Sequence, residues 1–77
     1  MPLAFLLLNV KPGKEEDVLK ALAEIKEVKE AHRVYGVYDT LVKVQADTME
    51  NLKSILNNRV KRIENITSVV SLIVTSG

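Results

Sequence analysis

The stretch VKEAHRVYGVYDTLVKVQA, residues 28–46, decides how the chain folds. Its β-branched, alternating residues read as one strand from Val28 to Tyr35 and another from Tyr38 to Ala46, with Tyr35-Gly36-Val37 as a tight connection. A hairpin in the middle of a 77-residue chain leaves comparable lengths on either side. Each side has room for one helix and one further strand.

On the N-terminal side, Leu3 to Val10 is a nearly unbroken apolar run ended by Lys11-Pro12-Gly13, the pattern of a buried strand followed by a turn. Glu15, Glu16 and Asp17 then open a helix, where carboxylates favour the positive end of the dipole, and Val18, Leu19, Leu22 and Ile25 give it an apolar face. On the C-terminal side, Asp47-Thr48-Met49-Glu50 reads as a capping box with Asp47 at the N-cap. It starts a helix through about Arg62 whose apolar face is Met49, Leu52, Ile55, Leu56 and Val60. Arg59, Lys61 and Arg62 sit at its end, where cations offset exposed carbonyls. Ile66 to Thr75 has the β-branched content of a last strand.

The order is therefore β-α-β-β-α-β. Two right-handed β-α-β crossovers joined by a hairpin give an α+β, ferredoxin-like sandwich: a four-stranded antiparallel sheet, strands one and three central, with two helices on one face. A sheet with one face in water alternates apolar and polar residues, and this one does not. Leu3, Phe5 and Leu7 point to one side, and Ala4, Leu6, Leu8 and Val10 to the other; Val69 and Ile73 oppose Val70, Leu72 and Val74. The helices cover only one of these sets. Leaving the other in water forgoes roughly 1.5 to 3 kcal/mol per large side chain. The patterning thus predicts a homo-oligomer packed through the helix-free sheet face, a dimeric α/β-barrel type of arrangement.

Composition agrees. The chain is 47% apolar, and 26 of its 36 apolar residues are Val, Ile or Leu. A single domain of this size buries only a little over ~60% of the surface of its unfolded chain. The absence of cysteine removes disulfides, thiolate metal sites and a cysteine nucleophile. A net charge of +1 with three aromatic residues weighs against direct nucleic-acid binding. No apolar run is long enough to span a bilayer or form a signal-peptide core, so the expectation is a cytoplasmic protein with no membrane partner.

Few residues offer chemistry. His32 is the only histidine, without a second imidazole to complete a metal site or a partner for catalysis. The helix carboxylates lie among lysines, as a solvated surface does. Ser54, Ser68, Ser71 and Ser76 sit in no nucleophile elbow, and no glycine-rich phosphate loop is present. We therefore expect no catalytic residue, no metal and no cofactor. What remains is Arg33 to Thr40, where Tyr35 and Tyr38 flank Gly36 and Asp39 follows. It forms either a concave polar spot at the sheet edge or plain hairpin chemistry, with Gly36 at a positive φ and Asp39 accepting backbone amides.

The run Ala31 to Val44 resembles the hairpin of the RAM domain, the effector-binding module of the Lrp/AsnC (feast/famine) transcriptional regulators. The family pattern of a glycine, one residue, an aromatic, an aspartate and an apolar strand is met by Gly36, Tyr38, Asp39 and Leu41. The resemblance extends to the Val10-Lys11-Pro12-Gly13 turn and to Ile66–Val74, hence over residues 1–77 as a single domain. It implies the same β-α-β-β-α-β fold, sheet-to-sheet dimers, and rings of those dimers. It also implies a small effector, usually an amino acid, bound between dimers near the hairpin and last strand. By position this assigns Tyr35, Gly36, Tyr38 and Asp39, with Ser71 where the family often has threonine. Asp39 would meet an ammonium group, backbone amides near Gly36 a carboxylate, and Ser71 a polar atom. Two positions depart from the pattern: Asn65 where glycine is frequent, and Val69 in place of a last-strand threonine. No helix-turn-helix precedes the module, so the expected role is amino-acid sensing or joining assemblies with full-length Lrp/AsnC regulators. The alternative is an enzyme of the dimeric α+β barrel type, such as a small monooxygenase, with its pocket inside the protomer.

Overall fold

The axis of the fold is β1 (Leu3–Val10), which pairs antiparallel with β3 (Thr40–Gln45) on one side and with β4 (Ile66–Ile73) on the other. β2 (Val28–Arg33) pairs with the outer edge of β3, giving the order β2-β3-β1-β4. The computed structural model describes residues 1–75; Ser76 and Gly77 lie outside the described residues. Helix α1 (Glu15–Ala23) joins β1 to β2, and α2 (Met49–Ile55), continued by a π-helical turn over Leu56–Val60, joins β3 to β4. This is the ferredoxin-like α+β arrangement that the sequence predicts.

Strand period two divides β1 cleanly. Ala4, Leu6, Leu8 and Val10 are buried, whereas Leu3, Phe5 and Leu7 are only half-buried. The buried set forms one cluster with Val42 and Val44 of β3, Val18, Leu22 and Ile25 of the α1 segment, and Leu52, Ile55, Leu56 and Val60 of the α2 segment. Both helices thus cover one face. On the other face, Leu7 stands in register with Leu41 and Val70, and Phe5 with Lys43 and Leu72. Leu72 is 52% exposed. The protomer leaves this apolar sheet face open.

Several local expectations need correction. Strand β2 stops at Arg33 and β3 begins at Thr40, so the connection is six residues, 34–39, instead of the tight Tyr35-Gly36-Val37 turn. The Val34 amide donates to the Asp39 carbonyl at 2.9 Å, and the chain between them loops out. The N-cap of α2 is Thr48, not Asp47: its hydroxyl accepts the Asn51 amide at 3.1 Å, in extended backbone geometry suited to a cap. Asp47 instead accepts the Asn51 side-chain amide, a bond that holds the Asp47 carboxyl below its ordinary range. With the cap one residue later, Glu50 is no longer at the capping-box position. Met49 is 37% exposed and is not part of the buried face. The helical run ends at Val60, two residues short of Arg62, where the Lys61 amide reaches back to the Leu56 carbonyl at 3.3 Å.

Candidate functional site

The connection 34–39 is held at its base by Asp39. Its amide donates to the Leu8 carbonyl (3.0 Å) and its carbonyl accepts from Val34. Its carboxylate accepts the Val10 amide on Oδ2 (3.1 Å) and the Thr40 hydroxyl on Oδ1 (2.9 Å). Every hydrogen-bonding group of Asp39 is therefore engaged, and Thr40 itself is buried. The expectation that Asp39 accepts a backbone amide is met, with the amide supplied by β1 instead of the hairpin itself. Each carboxylate oxygen carries two lone-pair sites and uses one here, so capacity for an ammonium group remains.

Gly36 does not supply a positive φ. The only glycine in the left-handed region among the described residues is Gly13, at φ 85°. A Cβ at Gly36 would approach nothing closer than the Tyr38 carbonyl oxygen at 3.9 Å. The glycine thus answers no conformational demand of this hairpin. Its neighbour Tyr35 is fully exposed, Val37 is 88% exposed, and Tyr38 is half-buried.

Ser71 lies elsewhere. It stands opposite Leu6 on the edge strand β4, and β1 separates it from β3 and the hairpin. One protomer brings Tyr35, Gly36, Tyr38 and Asp39 onto one loop and leaves Ser71 two strands away. The left-handed position before β4 is Asn65, at φ 74°, whose carbonyl accepts the Lys11 amide at 2.8 Å. Asparagine tolerates this region better than other side-chain-bearing residues, so it fills a position suited to glycine.

Two features escape the sequence reading. The first is the set of Asp39 partners, Val10 and Thr40, which sequence separation hides in one case and plain adjacency in the other. The second is a row on the open sheet face. His32 Nε2 lies 3.0 Å from Glu30 Oε1, and Lys43 Nζ lies 3.4 Å from Glu30 Oε2. A carboxylate only accepts, so Nε2 of His32 is the donor in this contact. The bond from His32 and then the Lys43 ammonium hold the Glu30 carboxyl below its ordinary range. The spacing of Glu30 and His32, two apart on a strand, was the available signal. Among the described residues no group of three His, Asp or Glu side chains is placed to hold a metal ion, and no helix is long and apolar enough to cross a membrane.

The family model described as the Lrp/AsnC ligand binding domain matches residues 3–77. Among curated proteins, sequence comparison finds no match. Among solved structures, FFRP-DM1 is 36% identical with a TM-score of 0.91, over 96% of this chain and 99% of that one. AsnC of E. coli is 28% identical with a TM-score of 0.87, over 99% of this chain and 52% of that one. The transcriptional regulator NMB0573 of Neisseria meningitidis, solved as a complex with L-Met, shares the fold at 17% identity and a TM-score of 0.84, over 97% of this chain and 50% of that one. A ligand-binding-domain match across 3–77, on a chain whose strand order, hairpin and exposed loop follow that fold, means that the chain belongs to the Lrp/AsnC ligand-binding (RAM) domain family.

Proposed function

We propose that the chain is an effector-binding and assembly module of Lrp/AsnC-type transcriptional control, acting in the cytoplasm without catalysis of its own. The observation that supports this reading is the family match, combined with an exposed loop that carries Tyr35, Gly36 and Tyr38 and ends on Asp39, whose carboxylate has spare acceptor capacity. The effector is an amino acid: Asp39 takes the ammonium group, and backbone amides beside Gly36 take the carboxylate. The L-Met bound by the Neisseria meningitidis regulator supports that chemical class. Ser71 contributes from a different protomer, because within one protomer β1 stands between it and the hairpin. The site is thus shared between dimers, and the assembly is a ring of dimers paired through the open sheet face. Full-length Lrp/AsnC regulators are the fitting protein partners, since they carry the same module.

Isothermal titration against the twenty amino acids, with sedimentation equilibrium alongside, tests both halves. Binding of at least one amino acid, lost in Ser71→Ala and Asp39→Asn, is the expected result. Silence across the whole set removes the sensing role and leaves only assembly. A monomer at micromolar concentration removes the assembly role as well.

A further inference from the structure

The row of charged groups on the open sheet face has a consequence for pairing. In the strand registers, Glu30 faces Lys43 and His32 faces Leu41, which stands opposite Leu7 at the centre of the face. Every other described position in register on that face is apolar, amide or hydroxyl, from Phe5 and Leu7 to Val70, Leu72, Gln45 and Ser68. The only histidine of the chain therefore lies beside the only carboxylate and the only ammonium among the described positions in register on the face proposed to bind a second copy. Neighbouring cations are directed away. Arg33 is in register with Thr40 on the helix-covered side, and the Lys29 ammonium donates to the Lys26 carbonyl at 3.3 Å. Both helices pack on the opposite face, and among the described residues no helix residue forms an ion pair with the row.

We propose that pairing of two copies through this face is linked to proton uptake by His32, so that acid weakens the pair. The inference rests on the pairing reading above. At neutral pH, Glu30 and Lys43 cancel and the row adds no net charge to an otherwise uncharged surface. Protonated His32 gives each row a charge of +1. A second copy across a twofold axis presents the same three groups, Glu30, His32 and Lys43, and no other titratable side chain among the described residues in register on that face. Pairing then brings two like-charged rows onto a surface with less water around them, where their repulsion is less screened. Between pH 5.5 and 7, histidine is the side chain with an ordinary pKa in range, and this chain has one histidine and no cysteine.

Sedimentation equilibrium of the wild-type chain and two variants from pH 7 to pH 5.5 tests this. The dissociation constant of the wild-type pair rises on the order of fivefold over that range, as expected when each copy takes up a proton less readily in the pair. His32→Gln is flat. Lys43→Met leaves Glu30 unopposed at neutral pH and cancelled by His32 in acid, so its dependence reverses and the pair tightens as pH falls. A wild-type chain that is monomeric at every pH overturns the pairing reading and this inference with it. A pair whose dissociation constant does not change, or whose dependence survives in His32→Gln or fails to reverse in Lys43→Met, overturns the proton linkage alone.

Discussion

The carboxylate of Asp39 accepts the backbone amide of Val10 at 3.1 Å, across 29 positions of sequence. This one contact ties the end of β1, the start of β3 and the exposed loop into a single unit. It gives Asp39 a structural duty besides any effector contact, and the two must be separated experimentally. The Val10 side chain is buried in the core cluster, so displacement of its amide would also disturb packing beneath the loop.

Asp39→Ala removes the acceptor for Val10 and for the Thr40 hydroxyl, a group on a buried residue. Loss of hydrogen bonds to a charged acceptor costs about 1.5 to 3 kcal/mol. Urea unfolding at fixed protein concentration should show that loss, with Asp39→Asn falling between Ala and wild type because its amide oxygen still accepts one bond. An Asp39→Ala stability equal to wild type would remove the pinning role. Effector titrations should use the Asn variant, which keeps the loop closer to its native placement.

Gly36→Ala should fold at least as well as wild type. The backbone at Gly36 is outside the left-handed region and has room for a methyl group. Under those conditions a glycine-to-alanine change stabilises by about 0.4 to 1 kcal/mol, through the unfolded chain. If a ligand carboxylate approaches the backbone there, the same methyl group lowers effector affinity while thermal stability holds or rises. A drop in stability would show that the loop needs glycine for its own conformation.

Much of this was legible from the residues and some was not, for definite reasons. Two-sided apolar patterning in Leu3–Val10 gave both the central strand and the open face, because period two assigns each side chain to a side without further information. The hairpin was legible as a hairpin, but its length was not. Asp39, which closes the loop against Val34 and precedes β3, is held by the Leu8 carbonyl and the Val10 amide, far away in sequence, and no local propensity reports those bonds. The cap of α2 failed for the opposite reason. Asp47 and Thr48 are both good caps, adjacent, and chosen between by Asn51, whose backbone goes to Thr48 and whose side chain goes to Asp47. For the site, Tyr35, Gly36, Tyr38 and Asp39 were legible as one loop. The separation of Ser71 follows from the same reading, since placing strands one and three in the centre puts β1 between the last strand and the hairpin.

Asn65 tests the value of a left-handed residue before β4. At φ 74° a β-carbon is unfavourable by roughly 1 to 2 kcal/mol, less for asparagine. Asn65→Ala should therefore lower stability by about 1 kcal/mol, while Asn65→Gly should match or exceed wild type. Chemical denaturation of the three proteins decides it. Equal stability of the Ala and Gly variants would mean that the turn relaxes out of the left-handed region, and the Lys11-to-Asn65 bond would then be lost to hydrogen exchange.

The Glu30 carboxyl should titrate below the ordinary range in the folded chain, through the bond from His32 and through the bond and charge of the Lys43 ammonium. The sign for stability follows from that direction. A carboxyl held lower in the folded than in the unfolded chain stabilises above the unfolded value, near 4.3 for a free glutamate, and that contribution fades as pH falls through the folded value. The side chain is half-exposed, so solvent screens the effect and the titration midpoint is a sharper readout than stability. Carboxyl carbon chemical shifts should place the midpoint below that of an unstructured glutamate. His32→Leu and Lys43→Met should each move it up, because each removes a group that holds the carboxyl low. Midpoints unchanged in both variants would mean that the row does not exist in solution, and any acid-sensitivity of pairing would then need another origin.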